Sequence, residues 1–271
     1  MYIFKISFSV AALAFILSGC TPFKLANALI QSKKEFIQCT ADSRILCEPG
    51  SEELAKSVAP LLQDAITTVE QAQFANYATP ILVYTYSSID NFTKHSGASE
   101  FASGSVAFGT LNLSPKLLTM PERTQRILIH ELSHLDLDLQ MGTLALGKMP
   151  DWFVEGLAVW VSNGGGAETV SANEARAAFK QGKHFEPIDS QWLLFPKNAS
   201  SYDLKPHMFY RQAGMFVEYM HDLDHSAFEK MLKAIKDKIS FATAIESSYH
   251  ESLPVIWRDF LTAIKDLNID K

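Results

Sequence analysis

The chain is predicted to be an α+β protein, with a small mixed sheet followed by a helical majority. Three observations predict this. Short β-rich runs and a glycine-punctuated alternation fall between residues 81 and 113. Beyond Pro121, apolar positions recur at helical spacing in one segment after another. The two kinds of segment are segregated rather than alternating, so a βαβ crossover pattern is not expected.

The chain has 271 residues and is 47% hydrophobic, which suits one domain with a real core, or at most two small ones. Its 11% aromatic and 20% charged residues argue against a disordered chain. The net charge is -6 and there is no basic stripe, so no nucleic-acid partner is expected.

The elements follow in order. In residues 1–19, Lys5 precedes an uncharged, mostly apolar stretch to Leu17, too short for a comfortable membrane span and built like a secretory signal. Leu17-Ser18-Gly19-Cys20 resembles the lipobox of bacterial lipoproteins. That implies cleavage before Cys20, acylation of its thiol and a membrane anchor; the alternative is an ordinary signal peptide with a chance cysteine. Thr21 stands where an aspartate would resemble the inner-membrane retention signal, which implies an outer-membrane lipoprotein facing the periplasm. Residues 20–50 read as a lipidated tether and a disulfide loop. Cys39 and Cys47 are an even pair in an exported chain and are expected to bridge, the alternative being two buried thiols.

Residues 51–271 read as the main domain. A helix runs from Ser51 to about Tyr77, with Pro60 as a possible kink. Ile81 to Tyr86 reads as a buried strand, and the segment after it as a short helix or turn. Val106, Phe108, Leu111 and Leu113 alternate around glycines, as a strand or paired strands with a bulge or close approach near Gly109. A helix then starts near Pro121 and stops at Gly142. The next has Asp151 as its expected N-cap and Gly164–Gly166 as its stop. Ser171 and Glu174 make a capping box, and four more helices fit 206–222, 224–237, 240–249 and 254–267.

The chemistry gathers on the Pro121 helix, in the stretch His130-Glu131-Leu132-Ser133-His134. The i, i+4 spacing puts both imidazoles on one face, where they can converge on one Zn2+, and Glu131 can reach a water beside it. The neighbours Ile127, Leu128, Ile129, Leu132, Leu135 and Leu137 make this helix largely buried, so its histidines need partners, which a metal supplies. A metzincin third histidine is excluded, because Leu137 and Gln140 stand where that pattern wants Gly and His. Asp138 reads better as a solvated aspartate than as a group orienting His134. The best third ligand is Glu155 on the next helix, in a strongly apolar segment where an unpaired carboxylate is costly. Gly156 and Ala158 are expected to let that helix pack closely on the first. His221 and His225 are also four apart, but Asp222–Asp224 looks like a helix break and they read as surface residues.

His130–His134 followed by Trp152-Phe153-Val154-Glu155-Gly156-Leu157-Ala158 resembles the gluzincin metallopeptidases, over about residues 80–262. The resemblance implies a zincin-like fold with an exposed edge strand. It implies one Zn2+ held by His130, His134 and Glu155, with Glu131 as general base for a water whose pKa the ion lowers toward ~7. It places a tyrosine at Tyr210 as oxyanion donor, with His207 as runner-up and a purely structural tyrosine nearly as good a reading. It implies a peptide or protein substrate lying along Val106, Ala107, Phe108 and Gly109. One departure separates the chain from thermolysin-like members: the position four after Glu155 is Val159, not aspartate. The competing readings are a zincin-fold lipoprotein that binds or scaffolds without chemistry, and a zinc hydrolase acting on a non-peptide envelope component.

Overall fold

In the computed structural model, which describes residues 27–192 and 196–266, a mixed sheet covers one side of a larger helical body. Cys20 and the leader lie outside the described residues. The strands are β1 (Ile37–Gln38), β2 (Ile45–Cys47), β3 (Val83–Thr85), β4 (Gly104–Ala107) and β5 (Thr110–Leu113). Their order is β1-β2-β3-β5-β4. The centre is parallel, β2 with β3 and β3 with β5, and both flanking pairs are antiparallel. β4 is therefore an edge strand, paired on one side only.

The stapled loop is not outside the domain, as a boundary at residue 51 had implied. Ile45 and Cys47 are fully buried, and β2 is an inner strand. Such a short strand carries too little periodicity to be read from sequence; its partner β3 makes it a strand. Cys39 and Cys47 are bridged as expected, with Cα atoms 6.0 Å apart. The bridge closes a turn that leads directly into the sheet.

The helices are α1 (Glu52–Ala72), α2 (Ile89–Ser96), α3 (Thr124–Met141), α4 (Thr143–Leu146), α5 (Asp151–Val161), α6 (Ala172–Lys180), α7 (Pro206–Leu223), α8 (His225–Lys236), α9 (Phe241–Tyr249) and α10 (Leu253–Asp266). α1 runs through Pro60 unbroken. Pro60 and Lys56 both lie on its exposed face, so the carbonyl that loses its partner can be hydrated. Asp151 is the first helical residue rather than the N-cap; Pro150 precedes it, and the Asp151 carboxylate turns instead to Gln191 (2.6 Å from Nε2). The Ser171–Glu174 capping box forms as predicted. Among the described residues no helix is long and apolar enough to cross a membrane.

α3 is the central element and is buried on nearly all sides. Several of its buried polar groups have a specific partner. Ser133 takes Gln73 at the end of α1 (2.5 Å), and Asp136 takes Lys236 at the end of α8 (2.6 Å). The Leu132 carbonyl accepts from the Tyr77 hydroxyl at 2.8 Å. Asp138 is buried and not solvated: Oδ2 accepts the Gly109 N–H at 2.8 Å and Oδ1 the Thr143 hydroxyl at 2.7 Å. Nor does this carboxylate take the alternative role of orienting His134. It fastens the turn between β4 and β5, and the start of α4, onto α3.

α5 packs against both α3 and α7. Gly156 faces α7 rather than α3: a Cβ there would come within 2.7 Å of the Ala213 carbonyl oxygen. Because the obstacle is backbone, the helices must separate to admit a methyl group. Gly156→Ala is expected to destabilise the fold by about 1–3 kcal/mol. A thermal or urea unfolding midpoint unchanged from the parent would refute that reading of the contact. The helical core is aromatic, with Trp152 wedged among Phe153, Phe185, Phe216 and Phe241.

Candidate metal centre

α3 brings His130, Glu131 and His134 to the floor of a cleft of about 840 Å³. α5 adds Glu155, α7 adds His207 and Tyr210, and β4 forms one wall. His130 Nε2 and His134 Nε2 are 3.1 Å apart. Glu155 Oε2 is 3.5 Å from the first and 3.6 Å from the second. Three donors bound tetrahedrally at about 2.0–2.1 Å stand about 3.3 Å from one another. The observed triangle is close to that size, so the three side chains could hold one metal ion.

Two further observations support the fit. Glu155 Oε2 is buried and has no hydrogen-bond partner among the described residues, although it points between two imidazoles. Such an orphan carboxylate oxygen is costly unless a cation completes it. His130 Nδ1 lies 2.9 Å from the Gly165 carbonyl. That bond holds the proton on Nδ1 and leaves the Nε2 lone pair facing the centre, the usual arrangement for a metal-ligating histidine. The loop makes this approach because it is glycine: a Cβ on Gly166 would fall 2.8 Å from His130 Cε1.

The electrostatics follow from burial in a shared acidic pocket. Burial alone would raise Glu155, but the neighbouring His134 and His130 outweigh it and hold the carboxyl well below the usual range. Burial pushes Glu131 up to about 7; His130 opposes the rise and Glu155 adds to it. The charge of Glu155, and then burial, raise the Tyr210 phenol, so it stays a protonated donor at neutral pH. Burial lowers His207, which sits at the cleft rim near the Thr169 N–H (3.4 Å).

No protein-family model matches the chain, and no curated protein matches it. The reading of the site therefore rests on its own residues.

The predicted site residues are brought together with one exception. Val106 and Ala107 lie on β4 and line the cleft. Phe108 and Gly109 are not strand: both have positive φ, 52° and 70°, and form the two-residue hairpin turn between β4 and β5. Phe108 still lines the cleft, whereas the Gly109 N–H is already taken by Asp138. A chain pairing with the edge would therefore use 104–107. Of the readings offered for this stretch, the paired strands and the close approach at Gly109 hold, a Cβ there falling 3.1 Å from Leu139 Cδ2, while the two-residue turn leaves the strands in register with no bulge.

Sequence reasoning missed two positions. Gly104 starts β4 directly over Glu131, and a Cβ there would lie 2.6 Å from Glu131 Cγ. Asp151 lies one turn before Glu155 and is pushed up to about 6 by burial, with the Gln191 bond opposing and the Glu155 charge adding. Its spacing from Glu155 was the available signal, but reading it as a cap concealed it.

Proposed function

We infer that the chain is a zinc-dependent peptidase of the gluzincin type on a zincin-like fold. We further infer that Cys20 carries the lipid that holds it at the outer membrane, facing the periplasm. The observation that carries the catalytic reading is the convergence of His130 Nε2, His134 Nε2 and Glu155 Oε2 at tetrahedral spacing, with Glu131 beside them and an open edge strand above. The anchor rests on the Leu17–Cys20 pattern alone.

When bound, zinc would supply a Lewis acid for the scissile carbonyl and acidify a water in the site. The residues of the chain do the rest. An extended peptide aligns antiparallel or parallel along the free edge of β4, through backbone N–H and C=O groups. Glu131, under Gly104, takes the proton from the attacking water and returns it to the leaving amine. Tyr210, kept protonated by Glu155, donates to the oxygen that gains negative charge, a contribution of about 2.7–4 kcal/mol in comparable sites. The buried flanks of α3 and α5 hold these groups rigidly.

The test is the zinc content of residues 21–271 beside that of Glu155→Ala, both purified without added metal. About one zinc per parent chain and a large loss in the variant are expected. No zinc in the parent, even after reconstitution, would sink the peptidase reading and leave a binding lipoprotein. Equal zinc in both would remove Glu155 from the ligand set.

A further inference from the structure

The corner between α7 and α8 holds a second histidine pair that the proposed chemistry does not use. His221 is in the last turn of α7 and His225 is the first residue of α8. Their rings stand 4.8 Å apart at 84°. The two cleft histidines, His130 and His134, stand 4.7 Å apart at 84°, almost the same arrangement. His221 Nε2 and His225 Nδ1 are 2.8 Å apart. On the other side of the ring, His221 Nδ1 lies 2.9 Å from the Asp222 carboxylate. An ionised carboxylate only accepts, so His221 carries its proton on Nδ1 and turns the Nε2 lone pair toward His225.

The preference among ions comes from the donors and not from the spacing. Neighbouring donors in a square or tetragonal centre, at bonds of about 2.0 Å and right angles, are about 2.8 Å apart; tetrahedral donors are about 3.3 Å apart. A hydrogen bond between the two rings accounts for the 2.8 Å by itself, and a small ring movement brings the pair to either figure. No third His, Cys, Asp or Glu among the described residues completes a three-residue cluster here. Water would fill the remaining positions, as a tetragonal ion accepts. Two imidazoles suit copper(II) and nickel(II), and are poor ligands for calcium or magnesium, which take oxygen donors.

We propose that His221 and His225 form a second metal site for a divalent transition ion, copper(II) foremost because it heads the affinity order for imidazole donors. Asp222 is its positioning residue. The site is independent of the zinc reading, because it shares no residue with the cleft. Without metal the His225 Nδ1–H donates to His221 Nε2; on binding, the His225 proton moves from Nδ1 to Nε2 through solvent, so that Nδ1 is free to ligate and no net proton is released. The indole of Trp160 packs on His221 with centroids 4.6 Å apart, which places a fluorophore against the ion.

The experiment is a copper(II) chloride titration of the zinc-reconstituted chain, followed by tryptophan fluorescence and by bound copper after desalting. The parent is expected to bind one equivalent with partial quenching, since Trp160 is one of four tryptophans. His225→Ala, at an exposed position, is expected to lose both the copper and the quenching while keeping the parent's zinc and unfolding midpoint. Trp160→Phe should keep the copper and lose the quenching. Asp222→Asn should weaken copper affinity about 10–100-fold without abolishing it. Glu155→Ala should bind copper as the parent does at the corner, which separates this site from the cleft. Equal copper and equal quenching in the parent and His225→Ala would overturn the proposal, as would a parent that binds no copper.

Discussion

On the proposed reading, Glu131→Gln is expected to lower peptidase turnover by about 10²–10⁴-fold, the usual worth of a positioned general base. Bound zinc should stay at the parent level. The two effects separate because the Glu131 carboxylate is not among the three converging donor atoms, which belong to His130, His134 and Glu155. Glutamine has the same shape and fits under Gly104, where even a methyl group would collide. The pH profile adds a second check. Burial pushes Glu131 up to about 7, and a bound dication draws it down again, so the parent's activity falls as pH drops through a value below 7. Glutamine cannot titrate, so that acid limb should vanish from any residual rate. Undiminished turnover in Glu131→Gln with one zinc bound would end the general-base assignment. Loss of zinc together with turnover would mean that Glu131 is needed to build the site.

Lys236→Met is expected to destabilise the fold by about 3–5 kcal/mol, because it strands a buried carboxylate. Asp136 is fully buried on α3, and Lys236 Nζ lies 2.6 Å from its Oδ2. The same ammonium donates to the Gln73 carbonyl at 2.9 Å, so one side chain ties α1, α3 and α8 together. In a chain of this size the loss corresponds to a fall in Tm of roughly 10 °C. Burial already raises Asp136 against the pull of Lys236. Without the cation it rises further, so the folded state favours the protonated form more than the unfolded state does. The variant's deficit should therefore shrink as pH is lowered and grow as pH rises. A companion Asp136→Leu change should restore much of the stability, since apolar replacement of a whole buried pair is often neutral. A Tm within about 2 °C of the parent's for Lys236→Met alone would show that the pair carries little, as exposed pairs do.

The contrast between legible and illegible residues is physical. His130, Glu131 and His134 were legible because they are neighbours on one helix, and helical spacing alone puts them on one face. Glu155 was legible from its cost, as a carboxylate in an apolar helix that lacks any local partner. The helices after residue 121 were legible because their buried faces repeat over several turns. Asp138 misled for the same reason that it matters. Its partners, Gly109 and Thr143, are a hairpin turn and a following helical turn, and nothing on its own helix announces either one. Gly156 misled in a similar way: small size shows that something approaches, but not that it is α7.

By itself, the sequence determined the α+β class, the order of the helices, the His130–His134 spacing on one helical face and the even cysteine pair. Local rules suffice for these, because helical periodicity and residue chemistry act within a few turns of chain. Only the tertiary structure decided the rest. It set the 3.1–3.6 Å triangle between α3 and α5, placed Gly104 over Glu131, made the stapled loop an inner strand, and matched the His221–His225 corner to the cleft pair. Each of these joins elements that packing alone brings together, and packing is settled by the whole core rather than by any one segment.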